Sequence, residues 1–146
     1  MKLRFIFFGK KNSSMYDYEI SKYLKRLNYY MSSECVFYDD TNIVKLNQKM
    51  EKKIKTSDFL IALDEQGKQL STTKYSNFLS KLASDYNTIN IVVGSAYGIN
   101  DLIINKANYL LSLSNMTFPH LLARLVVVEQ TYRALTILNN HPYHHE

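Results

Sequence analysis

The sequence predicts an α/β fold: a mostly parallel sheet with helices on both faces. Two observations carry that expectation. Apolar runs of four or five residues alternate with longer stretches in which apolar side chains recur every three to four positions. The short runs are apolar nearly throughout, not at every second position, as in parallel strands buried on both sides. No repeat, linker or low-complexity tract interrupts the 146 residues, so residues 1–146 are read as one domain with a single sheet.

The elements follow in order. Arg4–Phe8, ending at Gly9, reads as the first strand. Ile20, Tyr23, Leu24, Leu27 and Met31 stand at helical spacing, with Ser13 or Ser14 as cap. Cys35–Tyr38 is the second strand, and Val44–Lys55 a polar, lysine-rich helix. Phe59–Leu63 is a third, fully apolar strand. Leu70–Tyr86 reads as a helix on Tyr75, Phe78, Leu79 and Leu82, capped by Ser71 or Thr72. Ile89–Val93 is the fourth strand, Ile99–Ala107 a helix and Tyr109–Leu113 a short fifth strand. A long apolar helix, His120–Leu138, follows Pro119, whose fixed φ suits a first turn.

Composition narrows the function classes. The first apolar run is short and leads into Gly9-Lys10-Lys11, unlike a signal peptide, and no run approaches the roughly 20 residues of a membrane span. The chain is read as cytoplasmic, without membrane contact. Its one cysteine, Cys35, leaves no internal disulfide and no multi-cysteine zinc site, and is read as a buried strand residue. The net charge of +5 permits an anionic partner such as nucleic acid. Richness in Lys, Asn, Ile and Tyr with few Gly is also what an A/T-rich genome produces, so basicity alone decides little.

Parallel sheets bind ligands at the carboxyl ends of their strands. That selects three segments: Leu63–Gly67, Gly94–Gly98 and Leu113–Phe118. Two of the four glycines fall in the second, where backbone takes positive φ or approaches a ligand closely. An ordinary strand-ending turn has the same pattern. Neither G-x-G-x-x-G nor G-x-x-x-x-G-K-[ST] occurs, which argues against a dinucleotide fold or a P-loop hydrolase. The run LSLSNMTFPH pairs backbone groups that hold the edge of a flat ring with Leu and Met that cover its faces; a strand end plus helix cap is the plainer reading.

The last helix and the tail hold the other candidates. Glu129 and Arg133 share a helix face; a solvated pair is the usual reading, and the surrounding Leu122, Leu125, Val126 and Tyr132 offer a second, burial against a partner. The chain ends NNHPYHHE, open to three readings: a tag, a metal site, or part of an active site. A tag is usually a longer uniform run, and H-x-x-H-H on a chain end is poorly preorganised for metal. Asp39-Asp40 more often ends a strand than binds metal. No nucleophile constellation is present.

Several motifs together resemble one family. The opening MKL before a strand and glycine, LDEQGK, VVGSAYG, LSLSNMTFPH and RLVVVEQTYRALTILNNHPYH are similar to the ribosomal large subunit methyltransferase H family, small members of the SPOUT class. The resemblance implies an α/β domain with a C-terminal trefoil knot, a feature that breaks the usual rule against threaded chains. It implies a homodimer that uses S-adenosylmethionine to methylate N3 of a pseudouridine in helix 69 of 23S rRNA, on assembled ribosomes and without metal. Carried over, the cofactor contacts are Leu63, Gly94, Leu113, Ser114, Asn115, Met116, Thr117 and Phe118. The RNA-facing residues are His144 as proton acceptor, Tyr143 stacked on a base, and Arg133 on phosphate or steadying the tail. The family usually has two consecutive glycines after the fourth strand; here the second is Ser95. Serine tolerates positive φ poorly, which predicts a slightly reshaped loop that still binds the cofactor. A non-catalytic ribosome-docking module and a related methyltransferase with another RNA target are the alternatives.

Overall fold

Side chains alternate across a strand, so a run apolar at every position must bury both faces. The structure, a computed structural model describing residues 1–11 and 15–146, shows this. Its elements are β1 (Lys2–Phe8), α1 (Met15–Tyr30), β2 (Ser32–Tyr38), α2 (Ile43–Lys53), β3 (Phe59–Gln69), α3 (Thr72–Asp85), β4 (Thr88–Val93), α4 (Asp101–Lys106), β5 (Tyr109–Ser112) and α5 (His120–Leu138). The five strands are all parallel, in the order β2-β1-β4-β3-β5.

Phe5 and Phe7 of β1 enter one core with Ile20 and Leu27 of α1, Leu79 of α3 and Val127 and Leu135 of α5. Ile6 and Phe8 enter a second core with Leu46 and Met50 of α2 and Ile103 of α4. Helices therefore cover both faces, and the predicted fold class holds. The larger layer is cross-tied by buried hydroxyls. The Tyr75 and Thr131 hydroxyls lie 2.8 Å apart, and Ser76 Oγ donates to Ala134 O at 3.0 Å, joining α3 to α5.

Several boundaries differ from expectation. β2 begins at Ser32, because an edge strand tolerates polar residues: Arg4 and Glu34 stand opposite in register and pair at 2.7 Å. β3 runs on to Gln69 through a register break between Leu63 and Lys68, so LDEQGK is a bulged strand end rather than a loop. α2 is capped by Asn42, whose side chain accepts from Lys45 N at 3.1 Å, and ends at Lys53. Ser71, not Thr72, caps α3. α4 shrinks to six residues behind its cap Asn100. Pro119 is the N-cap of α5 rather than part of its first turn. The Ser13 or Ser14 cap lies outside the described residues. Cys35 is in β2 but only half-buried, and burial pushes its thiol up to about 12, so it holds no thiolate near neutral pH.

Arg124 of α5 is 1% exposed. It donates to Phe8 O at 3.0 Å and Lys10 O at 3.2 Å, with its guanidinium over the Phe7 and Phe37 rings. It thereby ties α5 to the segment leaving β1. Arg124→Met is expected to lower unfolding free energy in urea by about 2–4 kcal/mol, because two carbonyls and buried Asp17 lose their cation. A loss below about 1 kcal/mol would show that water satisfies them instead.

Candidate active site

A cavity of about 740 Å³ opens at the carboxyl ends of β3, β4 and β5. Leu63, Gly94, Leu113, Ser114, Met116, Thr117 and Phe118 all line it, seven of the eight residues predicted to touch the cofactor. Asn115 does not; it is exposed to solvent.

Local chemistry explains the shape of the walls. A Cβ on Gly94 would lie 2.5 Å from the Gly98 carbonyl carbon, so the loop folds back on itself at a distance no side chain tolerates. Gly98 supplies the positive φ, +83°, and its N–H donates to Ser95 O at 2.9 Å. Both roles expected of these glycines are present, one at each. Ser95 is not in the positive-φ region; among the described residues that region holds only Gly9, Gly98 and Asn140. Ser95 therefore carries no positive-φ strain. Its Oγ instead accepts from Tyr97 N at 3.2 Å and stiffens the turn. Across the mouth, Thr117 Oγ1 donates to Glu65 Oε2 at 2.8 Å, joining the bulged end of β3 to the loop after β5.

His120, first residue of α5, also lines the cavity, and sequence reading had not assigned it to the site. Its place directly after the TFP run was the available signal. Burial, and then the nearby Arg124 cation, hold its pKa below the ordinary value of 6.5. Between 6.5 and that lowered value only the unfolded chain takes up the proton, so stability falls as pH falls through this window. His120→Gln is expected to flatten that slope in thermal melts taken from pH 7 to pH 5.

The second cluster is built by the end of α5. Asn140 takes a left-handed conformation, φ 56°, and His141 N reaches back to Thr136 O at 2.9 Å. Asn140 N reaches Ile137 O at 3.2 Å, which completes a Schellman turn. This reverses the chain and lays the tail along α5. The Tyr143 ring packs edge-on to Tyr132 with centroids 4.8 Å apart, beneath the Arg133 guanidinium at 4.7 Å. Its hydroxyl donates to Glu129 Oε1 at 3.0 Å and lies 3.3 Å from that of Tyr23. Burial, with these contacts, holds the phenol well above its usual pKa, so it stays neutral. Glu129 and Arg133 pair at 2.7 Å, part-buried against the chain's own Tyr143 and His144, and the pairing raises the Arg133 pKa. Arg133 Nη1 lies 3.2 Å from His144 Nδ1.

That last contact sets a tautomer. A guanidinium only donates, so Nδ1 accepts and neutral His144 carries its proton on Nε2. Nε2 is buried with no hydrogen-bond partner. A packed, turned-back tail is unlike a tag, and among the described residues no three metal-ligating side chains gather. Arg133, Tyr143 and His144 are thus brought together, but not at the cavity. Arg133 follows Ala123 of the cavity wall by ten residues, about 15 Å of helix.

A family model described as "Predicted SPOUT methyltransferase" matches residues 1–144. The chain belongs to the SPOUT methyltransferase family. Membership makes it a methyltransferase, and the resemblance drawn from the motifs holds along the whole chain. A protein from Parabacteroides distasonis named ribosomal RNA large subunit methyltransferase H is 36% identical over 157 residues, covering 100% of both chains. One of the same name from Ureaplasma urealyticum serovar 10 is 37% identical, covering 99% of each. Among solved structures, a probable methyltransferase from Bordetella pertussis Tohama I superposes with a TM-score of 0.61 at 13% identity, over 91% of this chain and 95% of that one. A probable methylase family protein from Haemophilus influenzae Rd KW20 gives 0.58 at 11%, over 99% and 70%. At such low identity the two structures speak for the fold alone. Among the described residues of this SPOUT protein, no helix is long and apolar enough to cross a membrane.

Proposed function

We propose that the protein is a cytoplasmic, S-adenosylmethionine-dependent methyltransferase of ribosomal RNA. Its target is N3 of a pseudouridine in helix 69 of 23S rRNA, on assembled ribosomes. The observation that carries this is the cavity formed by the three strand-end loops, in a chain whose full-length relatives are named for the large ribosomal subunit. Helix 69 and N3 come from the motif resemblance.

The residues present fit the cofactor. The volume falls within the roughly 300–1,000 Å³ of small-molecule sites. Leu63, Leu113, Met116 and Phe118 offer apolar cover for a flat ring, and the turns at Gly94 and Ser114 bring backbone groups to its edge. Among the described residues no Lys or Arg lines the wall, which disfavours a polyphosphate and suits a cation. Bound there, S-adenosylmethionine supplies an activated methyl group on a sulfonium.

The chain's own work is alignment and proton removal. Tyr143, neutral and pinned by Glu129, offers a rigid ring for base stacking. Arg133 steadies it and fixes the His144 tautomer. For His144 to take the proton of the target nitrogen, its Nδ1 must leave Arg133 as RNA docks, which frees the guanidinium for phosphate. With tail and cavity about 15 Å apart along α5 in one chain, a second copy supplies the tail. The functional unit is a homodimer in which each cavity receives its partner's His144.

The test is transfer of labelled methyl to ribosomes lacking the modification, with protein-free rRNA as control. Label on ribosomes only, mapped to the helix 69 pseudouridine, is expected. Transfer to neither, by dimer that binds S-adenosylmethionine, would overturn the substrate assignment, and equal transfer to naked rRNA the requirement for a ribosome.

A further inference from the structure

The chain carries a formal charge of +5, yet the cavity wall has the opposite character. Among the described residues, its only formally charged side chains at neutral pH are Asp64 and Glu65, since His120 is held neutral. Among the described residues neither carboxylate has an ion-pair partner, whereas Glu34, Asp40, Glu51 and Glu129 all do. Both are also held in place. Thr117 Oγ1 pins Glu65 across the mouth at 2.8 Å, and Asp64 Oδ1 accepts from Gln66 N at 3.0 Å. Gly67 anchors the segment: a Cβ there would lie 2.5 Å from Leu110 O, so this stretch of β3 sits hard against β5.

We infer that Glu65, supported by Asp64, makes the cavity selective for the cationic methyl donor over its demethylated product. The inference rests on the proposed S-adenosylmethionine site. Transfer of the methyl group turns the sulfonium into a neutral thioether, so the bound molecule loses one positive charge while its ring and amino-acid portion stay the same. A wall contact that senses only shape binds the two alike. An unpaired carboxylate on the wall favours the donor and weakens its hold once the reaction is over, which speeds product release. A net positive charge on the chain and an acidic pocket for the cofactor keep the two recognitions separate. A second copy's Arg133, brought to the mouth in the proposed dimer, arrives already paired with Glu129 and so cancels little of this charge.

Two substitutions separate charge from clasp. Glu65→Gln keeps an acceptor for Thr117 and removes the charge. Thr117→Val removes the hydrogen bond and keeps the charge. Affinities for S-adenosylmethionine, S-adenosylhomocysteine and an analogue with a protonated amine in place of the sulfonium are measured by calorimetry on the full-length protein. Glu65→Gln is expected to weaken both cationic ligands about three- to tenfold and leave the thioether unchanged. Thr117→Val is expected to shift all three in parallel. The wild-type preference is expected to shrink as salt rises, because the mouth is open to solvent. Parallel changes in Glu65→Gln, or none, would overturn the inference while the cofactor site stands. Failure of the wild type to bind any of the three would overturn the site itself.

Discussion

His144→Ala is expected to lower the methyl-transfer rate by about 10²- to 10⁴-fold, the range for loss of a positioned acid or base. S-adenosylmethionine affinity is expected to stay within about twofold, a shift below 0.5 kcal/mol by the affinity scale. The separation follows from geometry. His144 sits with Arg133, Glu129 and Tyr143 along the second half of α5, and contributes nothing to the wall of its own cavity. His144→Gln sharpens the test. Its amide can still donate where Nε2 now points but takes no proton near neutral pH. If His144 accepts the proton, Gln is as slow as Ala. A Gln variant near the wild-type rate would assign His144 to hydrogen-bond donation instead. Equal losses of rate and cofactor affinity in Ala would remove it from both roles.

The sequence was most legible where one physical signal dominated. Five apolar runs marked five strands because burial on both faces leaves no polar alternation, and α5 matched to the residue because its start and end carry Pro119 and Asn139-Asn140. β3 was misjudged at its end, since Lys68 and Gln69 are polar and their pairing with β5 depends on a bulge that no local pattern announces. The end of the sheet that carries the cavity was legible from topology, and seven of the eight residues expected to touch a cofactor line that one cavity. What stayed hidden depends on three-dimensional neighbours. His120 became a wall residue only because α5 starts beneath the loop, and Glu65 became a clasp only because Thr117 comes within 2.8 Å across 52 positions of sequence. The tautomer of His144 was likewise unreadable, since it depends on a contact with Arg133 made possible by the left-handed Asn140 turn.

Gly94→Ala is expected to weaken S-adenosylmethionine binding by at least about 30-fold, roughly 2 kcal/mol, while costing the fold about 1–3 kcal/mol. The new methyl would meet the carbonyl carbon and oxygen of Gly98 at 2.5 and 2.7 Å, and these are backbone atoms that no rotamer change can move aside. Relief requires the turn to open, which breaks the Gly98 N to Ser95 O bond and pushes the loop into the space the cofactor needs. Gly98→Ala is the control. Space around its Cβ is open, so the cost is the positive φ alone, about 1–2 kcal/mol, with a smaller effect on affinity. Ser95→Gly completes the series. Ser95 already holds an ordinary backbone conformation and its Oγ stiffens the turn, so restoring the second glycine of the family pattern should leave affinity unchanged or slightly lower it. A gain of tenfold or more on Ser95→Gly would mean that the loop of this chain departs from the family at the cofactor after all. Wild-type affinity in Gly94→Ala would place the cofactor away from this turn.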